Sequence, residues 1–280
     1  MIANGQPSFT ALTAAAARAA HLIVDGEPVI FADTLAEAML GERAAELTAY
    51  HRTNGAHPVL AGARAQVTCR SRYAEDHLAR GIERGITQYV LLGAGLDSFA
   101  YRCALARRVR VFEVDHPATQ EYKRGVLAVP EGLTFVPVDF TRDSLASALG
   151  EAGFDTARPA FVSWLGVTMY LDESATEATV SVLGGFAAGS EVILDYMLPA
   201  GRRDAAGQAY AELVGQAAAE RGEPWRSAFA PETMAALLAR HGFGPVRDVG
   251  HRDMIPAAAW DRRDALAPVE LSHLAHAMIG

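Results

Sequence analysis

Residues 88–98, Gln-Tyr-Val-Leu-Leu-Gly-Ala-Gly-Leu-Asp-Ser, decide how the rest of the chain is read. A short apolar run closed by two glycines has the form of a strand buried on both faces that turns sharply at its end. The same kind of run recurs at 109–117 (VRVFEVDHP), 133–140 (LTFVPVDF), 160–167 (AFVSWLGV) and 190–197 (SEVILDYM), and more weakly at 242–249 (GFGPVRDV). Residues 269–279 (VELSHLAHAMI) read equally as strand or helix. Helical patterns lie between them. Residues 141–150 place Leu145, Ala148 and Leu149 on one face with Thr141 as N-cap. Residues 231–242 begin at Pro231, group Met234, Leu237 and Leu238, and stop at Gly242. Strands alternating with helices imply an α/β fold, a doubly wound parallel sheet covered on both faces.

Outside this repeat, residues 1–85 contain helical patterns, Val67, Ala74, Leu78 and Ile82 among them, and no convincing strand. Residues 198–230 form an Ala- and Gly-rich insertion after the fifth strand. Neither is linker-like, so the expected organisation is one domain over 1–280. It comprises a helical cover (1–85), a cofactor-binding core (86–197), a substrate-covering insertion (198–230) and the last part of the sheet (231–280). Ligands in such sheets bind beyond the carboxyl ends of the strands, beneath such a cover.

Composition narrows the function classes. The chain has 280 residues, half of them apolar, with 21% charged and a mean hydropathy of +0.08, which excludes a disordered or collagen-like polymer. No apolar run approaches the roughly 20 residues of a membrane span. The N-terminal stretch lacks the pattern of a secretory signal, so a cytoplasmic protein is expected. The net charge is −8 and the basic residues are scattered, which argues against a nucleic-acid surface. Lys123 is the only lysine among 25 basic residues, a compositional habit of a GC-rich genome. Cys69 and Cys103 form no C-x-x-C pair and have no metal spacing, and a disulfide is not expected.

The chemistry begins at the glycine turn. Gly93 and Gly95 permit close approach of a ligand to the backbone, although an ordinary tight turn has the same pattern. The third glycine of the dinucleotide fingerprint is replaced by Ser98, and acidic Asp97 would repel a pyrophosphate. A cationic or phosphate-free nucleoside fits better. Asp115, about 20 residues on at the end of the second strand, can accept from both ribose hydroxyls, or can simply cap a helix or pair with a cation. Glu113 shares its face, but Asp115 lies nearer the strand end. Asp139 and Phe140 close the third strand, where an acid can accept from an adenine amino group and an aromatic ring can cover the base.

QYVLLGAGLDSFAYR, VFEVDHPATQEYK, VDF and FVSWLGVTMYL together resemble the leucine carboxyl methyltransferase family, class I S-adenosylmethionine-dependent methyltransferases that include bacterial polyketide carboxyl O-methyltransferases. TALTAAAARA, CRSRYAEDHL and GEPWRSAFAPETMAALLARHGF extend the resemblance over about residues 8–250. It implies a seven-stranded, mostly parallel, Rossmann-like sheet and S-adenosylmethionine as cofactor. It also implies that Arg70 and Arg18 hold the methionine carboxylate, with Gly93, Ala94 and Gly95 against the same moiety. Asp115 would take the ribose, with His116 at the cofactor's edge, and Asp139 and Phe140 would flank adenine. Where the eukaryotic pattern has Glu, this chain has Leu165, which weakens the case for a protein-carboxylate substrate; a backbone carbonyl there could replace the lost contact.

Other residues have ordinary readings beside functional ones. His116 also reads as a cap or surface histidine, and His241, His251, His273 and His276 are candidate bases whose default role is structural. Arg102 can anchor the first helix; Trp164 and Tyr170 can line a pocket or fill the core; Glu223, Pro224 and Trp225 can form part of a lid. Asp195 ends the fifth strand without an identifiable set of metal ligands around it, so no metal is expected. The expected reaction is methyl transfer to an oxygen of a small metabolite. A carboxylate acceptor, ionised at neutral pH, needs no base, whereas a phenol benefits from one, and the lack of a base motif favours carboxylate. The rival readings are a cofactor-binding cyclase, a nicotinamide-dependent oxidoreductase and a non-enzymatic interaction protein.

Overall fold

The computed structural model describes residues 7–140 and 142–280. Seven strands form one sheet: β1 (Gln88–Leu92), β2 (Arg110–Asp115), β3 (Leu133–Pro137), β4 (Ala160–Trp164), β5 (Glu191–Met197), β6 (Arg247–Val249) and β7 (Ser272–Met278). Their order is β3-β2-β1-β4-β5-β7-β6, so the order reverses beside β1, where an α/β sheet opens its crevice. β1 to β5 pair in parallel, and β7 runs antiparallel to both β5 and β6. The ambiguous segment 269–279 is thus a strand, and the sixth strand shrinks to an edge of three residues.

All five residues of β1 are buried because both faces are covered. Period-2 alternation divides them: Val90 and Leu92 join a core with Phe112, Val162, Leu194 and Leu238, while Tyr89 and Leu91 join one with Leu78, Val111, Phe161 and Ile193. The helices are α1 (Phe9–Val24), α2 (Ala36–Met39), α3 (Ala44–Asn54), α4 (Pro58–Glu83), α5 (Phe99–Arg102), α6 (Pro117–Val126), α7 (Leu145–Glu151), α8 (Glu173–Gly184), α9 (Ala205–Glu220) and α10 (Pro231–Arg240). Thr141 lies outside the described residues; α7 starts at Leu145 and its N-cap is Ser144, whose hydroxyl accepts from Ser147 N at 3.3 Å. The glycine that follows α10, Gly242, has φ +87°, the left-handed conformation that ends helices. Cys69 and Cys103 are free thiols. No helix among the described residues is long and apolar enough to cross a membrane.

The N-terminal cover consists of α1 to α4, and no strand occurs among its described residues. Buried Ala15, Ala16, Ala19 and Ala20 let neighbouring elements approach α1 closely. A buried guanidinium fastens the cover: Arg64 Nε and Nη2 donate to the two oxygens of Asp25 at 2.7 and 2.8 Å, and Nη2 donates to Gly55 O at 2.7 Å. Arg64 Nη1 donates to His51 Nδ1 at 3.1 Å, which requires that nitrogen to be unprotonated. Burial and then the Arg64 charge push His51 down from 6.5 to about 4. Between these values the unfolded chain takes up a proton that the folded chain refuses, so this group's contribution to stability is lost as pH falls through that window. Urea midpoints measured from pH 7 to pH 4 should therefore decline less steeply in His51→Gln than in the wild type. An unchanged slope would show that His51 does not carry this linkage.

Candidate functional site

The glycine turn lies where β1 passes into α5. Gly93 and Gly95 have φ of +64° and +52°. A Cβ on Gly93 would collide with the Val167 side chain, and one on Gly95 would lie 3.1 Å from Ala11 Cβ of α1. Glycine is needed because the 165–168 loop and α1 both press onto the turn. Gly93 N and Ala94 N donate to Val114 O at 2.8 and 3.1 Å, and Gly95 N donates to Asp115 Oδ2 at 2.6 Å. The other Asp115 oxygen accepts from His116 N at 2.6 Å. Burial raises the Asp115 carboxyl above its ordinary value, partly offset by those two amides. With no guanidinium on it, the carboxylate retains lone pairs for further donors. His116 caps α6, its Nδ1 accepting from Ala118 N at 3.2 Å.

Glu113, on the same face of β2, is buried and paired with Lys123 Nζ at 2.6 Å, so the two acids of this strand serve different ends. Asp139, half-buried beyond the end of β3, accepts from Arg142 Nε at 3.0 Å, and half-buried Phe140 packs on the core beside it. Asp97, the acid inside the turn, accepts from Phe99 N at 2.7 Å and so caps the start of α5.

Arg18 and Arg70 approach from the cover. Arg18, 8% exposed, donates through Nη2 to Leu96 O at 2.6 Å and through Nε to Asp33 at 2.8 Å. Asp33 accepts at 2.5 Å from the Ser98 hydroxyl, which itself accepts from Arg102 Nε at 2.9 Å, and Arg102 is paired with Glu75 of α4. Burial pushes the Asp33 carboxyl up, but Arg18, Ser98 and Arg102 outweigh it and the carboxyl ends below its usual range. Glu75 goes the other way, to about 7, because burial outweighs Arg102. Arg70 lies at the ends of β4 and β5: Nη1 donates to Asp195 Oδ2 at 2.7 Å, while Asp195 Oδ1 accepts from Gly166 N at 2.7 Å. A Cβ on Gly166 would lie 2.5 Å from Arg70 Nη2, so the loop lies flat against the guanidinium. Leu165, just past β4, packs into the core rather than presenting a polar group.

The insertion closes over this end. Ser8 Oγ and Thr10 N at the start of α1 donate to Glu223 at 2.7 and 3.1 Å, and Arg226 N donates to Met169 O at 2.6 Å. Trp225 and Tyr170 pack together with Met169 and Met197. The structure thus gathers Gly93, Ala94, Gly95, Asp115 and His116 at one locus, sets Asp139 and Phe140 at the adjoining strand end, and places Arg70 and Leu165 past β4. Arg18 contacts the turn through the Leu96 carbonyl. Asp33 and Glu75 were not foreseen; their partners are 65 and 27 residues away, so no local pattern marks them.

This arrangement suits a nucleoside bound through its ribose. The sequence profile of the leucine carboxyl methyltransferase family matches residues 11–184. The chain belongs to this family. The putative S-adenosyl-L-methionine-dependent methyltransferase YktD of Bacillus subtilis is 30% identical over 302 residues, covering 98% of this chain and 99% of YktD. Among solved structures, a possible exported protein of Bordetella parapertussis has a TM-score of 0.52 at 13% identity, covering 100% of this chain and 99% of the other. An O-methyltransferase family protein of Burkholderia thailandensis has a TM-score of 0.50 at 12% identity, covering 84% and 63% respectively. The chain is an S-adenosylmethionine-dependent methyltransferase with the doubly wound, mostly parallel seven-stranded fold of class I enzymes.

The Ser98 hydroxyl is the junction of the network above the turn, donating once and accepting once in a dry environment. Ser98→Ala should lower the unfolding free energy by about 1–3 kcal/mol in urea titration, the penalty for leaving buried polar partners unmatched. A loss below about 0.5 kcal/mol, the scale of an ordinary surface substitution, would show that Asp33 and Arg102 do not depend on it.

Proposed function

We propose that this methyltransferase transfers a methyl group to an oxygen of a small secondary-metabolite or polyketide-like acceptor, with a carboxylate favoured over a hydroxyl. The observation that carries the cofactor part is the Gly95–Asp115 junction, a half-buried strand-end carboxylate fixed by two amides and left with acceptor capacity. In this reading Asp115 accepts from the ribose hydroxyls, with His116 at the cofactor's edge. Gly93, Ala94 and Gly95 border the methionine moiety. Asp139 and Phe140 flank adenine, and the carbonyl of Leu165 stands in for an acidic side chain toward the amino group.

Arg70 receives the methionine carboxylate, being held by Asp195 through one nitrogen while Nη2 faces Gly166. Arg18 acts as a positioning residue, since Nε and Nη2 are engaged with Asp33 and Leu96 O.

Bound S-adenosylmethionine supplies an activated methyl group on a sulfonium. The protein's part is to align the acceptor oxygen and to exclude water. An ionised carboxylate requires nothing more, and the placement of the candidate bases agrees with this. His251 Nδ1 accepts from Val269 N at 2.9 Å, and His273 sits between Asp248 and Glu270, 2.8 Å from each. His241 lies 3.3 Å from Glu177, and His276 contacts Glu191 at 2.5 Å. Each is engaged in structural contacts.

Calorimetry with S-adenosylmethionine, S-adenosylhomocysteine and NAD tests the cofactor assignment: the first two should bind saturably and NAD should not. Asp115→Ala should weaken S-adenosylhomocysteine binding at least tenfold, about 1.4 kcal/mol, with the circular dichroism spectrum unchanged. Unaltered affinity in a folded variant would remove Asp115 from the ribose. Incubation with a panel of small carboxylic acids and phenols, read by mass, should give products heavier by one methylene unit, first among the acids. Turnover confined to phenols, with a rate rising as the phenol ionises, would overturn the carboxylate preference.

A further inference from the structure

A second cluster lies at the opposite end of the sheet, away from the glycine turn. Glu191 is the first residue of β5, whereas the cofactor residues follow the last residues of β1 and β2, which run in the same direction. His276 of β7 is paired in register with Ile193, two residues beyond Glu191, so His276 and Glu191 are diagonal neighbours on one face. α4 crosses that face and contributes His77. The ligating atoms of His77, Glu191 and His276 all lie within 4.8 Å of one another.

We propose that His77, Glu191 and His276 form a binding site for one divalent transition-metal ion of the zinc class. Two imidazoles and one carboxylate from three separate elements are a donor set for zinc and its neighbours rather than for magnesium or calcium, which prefer oxygen. Zinc bonds to such donors measure about 2.0–2.2 Å, so donor atoms up to about 4 Å apart can share an ion. His77 Nδ1 is 3.9 Å from Glu191 Oε1, and His276 Nε2 is 2.5 Å from the same oxygen. In the hydrogen-bonded triad His276 Nε2–H donates to Glu191. Metal binding requires the other tautomer: the Nε2–H bond breaks, an N–H bond forms at Nδ1 by exchange with solvent, and the Nε2 lone pair passes to the metal with no net change in protonation.

The surroundings supply the outer contacts that hold ligands in place. Tyr73 OH lies 3.1 Å from His276 Nδ1 and can accept its proton, leaving Nε2 to the metal. Arg84 binds Glu191 Oε2, keeping Oε1 directed at the imidazoles. His77 and His276 meet edge-to-face with ring centroids 4.4 Å apart, and each side chain is 12% exposed, so the cluster is nearly dry yet reachable. The guanidiniums of Arg84 and Arg80 oppose a dication, and Arg80 donates to His77 Nε2 at 3.3 Å, a bond that must be released for Nδ1 to offer its lone pair to the metal. An ion here ties α4 to both β5 and β7, and the proposal stands whether or not the acceptor is a carboxylate.

Protein stripped with a chelator is titrated with zinc by calorimetry and with cobalt by visible absorption, with magnesium as control. The wild type should bind one equivalent of zinc, develop the visible bands of low-coordinate cobalt, and ignore magnesium. His77→Gln and His276→Gln should each weaken zinc at least tenfold and abolish the cobalt bands, while S-adenosylhomocysteine binding at the other end of the sheet stays unchanged and reports a folded chain. Absence of saturable zinc binding in the wild type, or wild-type zinc affinity and cobalt bands in the folded variants, would overturn the assignment. His77→Gln leaves the Glu191–Arg84 pair intact, so it carries the test if His276→Gln does not fold.

Discussion

The burial of one carboxylate, Asp33, places the cover on the sheet. It belongs to neither α1 nor the glycine turn, yet it joins them: Arg18 of α1 meets it on one oxygen and Ser98, at the start of α5, on the other. An ion pair this dry gains little net free energy over apolar packing, but losing one partner strands a charge at a cost of about 3–5 kcal/mol. The arrangement therefore tolerates few alternatives. Once Arg18 reaches Leu96 O and Arg102 reaches Glu75, α1 and α4 are both referenced to the same turn. The close contact of Ala11 with Gly95 follows from that reference.

The acids near the site differ in their partners, and the differences match different tasks. Asp33 and Asp195 are matched by guanidiniums, and Glu113 by the ammonium of Lys123. Asp97 is taken up by the amide of Phe99. Asp115 is held by the amides of Gly95 and His116 and by the Thr119 hydroxyl, which orient a carboxylate without cancelling its charge. Of this set it is the acid best suited to meet a ligand carrying hydroxyl donors and a positive charge. The objection to a pyrophosphate in this turn gains a physical basis too, since Asp97 is fixed there as a cap.

The five parallel strands were legible because each is an apolar run bounded by turn residues, and both faces of the sheet are covered. Two elements resisted reading for reasons visible in the fold. β7 carries His273 and His276 three residues apart, on opposite faces of the strand among buried apolar residues, and a three-residue spacing is also that of a helix face. α7 starts beyond Thr141 because Ser144 offers its own hydroxyl to Ser147 N. At the site, the positions following each strand could be listed from sequence, since strand ends and glycines announce themselves locally. The fastening of the cover could not. Arg64 meets Asp25 across 39 residues and Asp33 meets Ser98 across 65, and nothing in the spacing of charged residues marks those pairs. Ser98 shows the limit well: its sequence signal was the absence of a glycine, while its structural role comes from the hydroxyl.

The fastenings of the cover differ in strength along α1. At its middle, Arg18 and Asp33 are 9% and 1% exposed, and the network around them is closed to water. At its start, the contact is Glu223 with Ser8 Oγ and Thr10 N, in partly buried surroundings. The carboxylate there is favoured by the helix N-terminus and by two donors, each contact worth roughly 0.3–3 kcal/mol. Breaking it strands no buried charge, because Glu223 can turn to water, whereas Arg18 and Asp33 have no such recourse. The free energy needed to separate α1 from its neighbours therefore rises from Ser8 toward Arg18. The segment around Glu223 and Trp225 is attached at the weaker end, while the glycine turn is attached at the stronger. A cover graded in this way can open at Ser8 without releasing its hold on the turn.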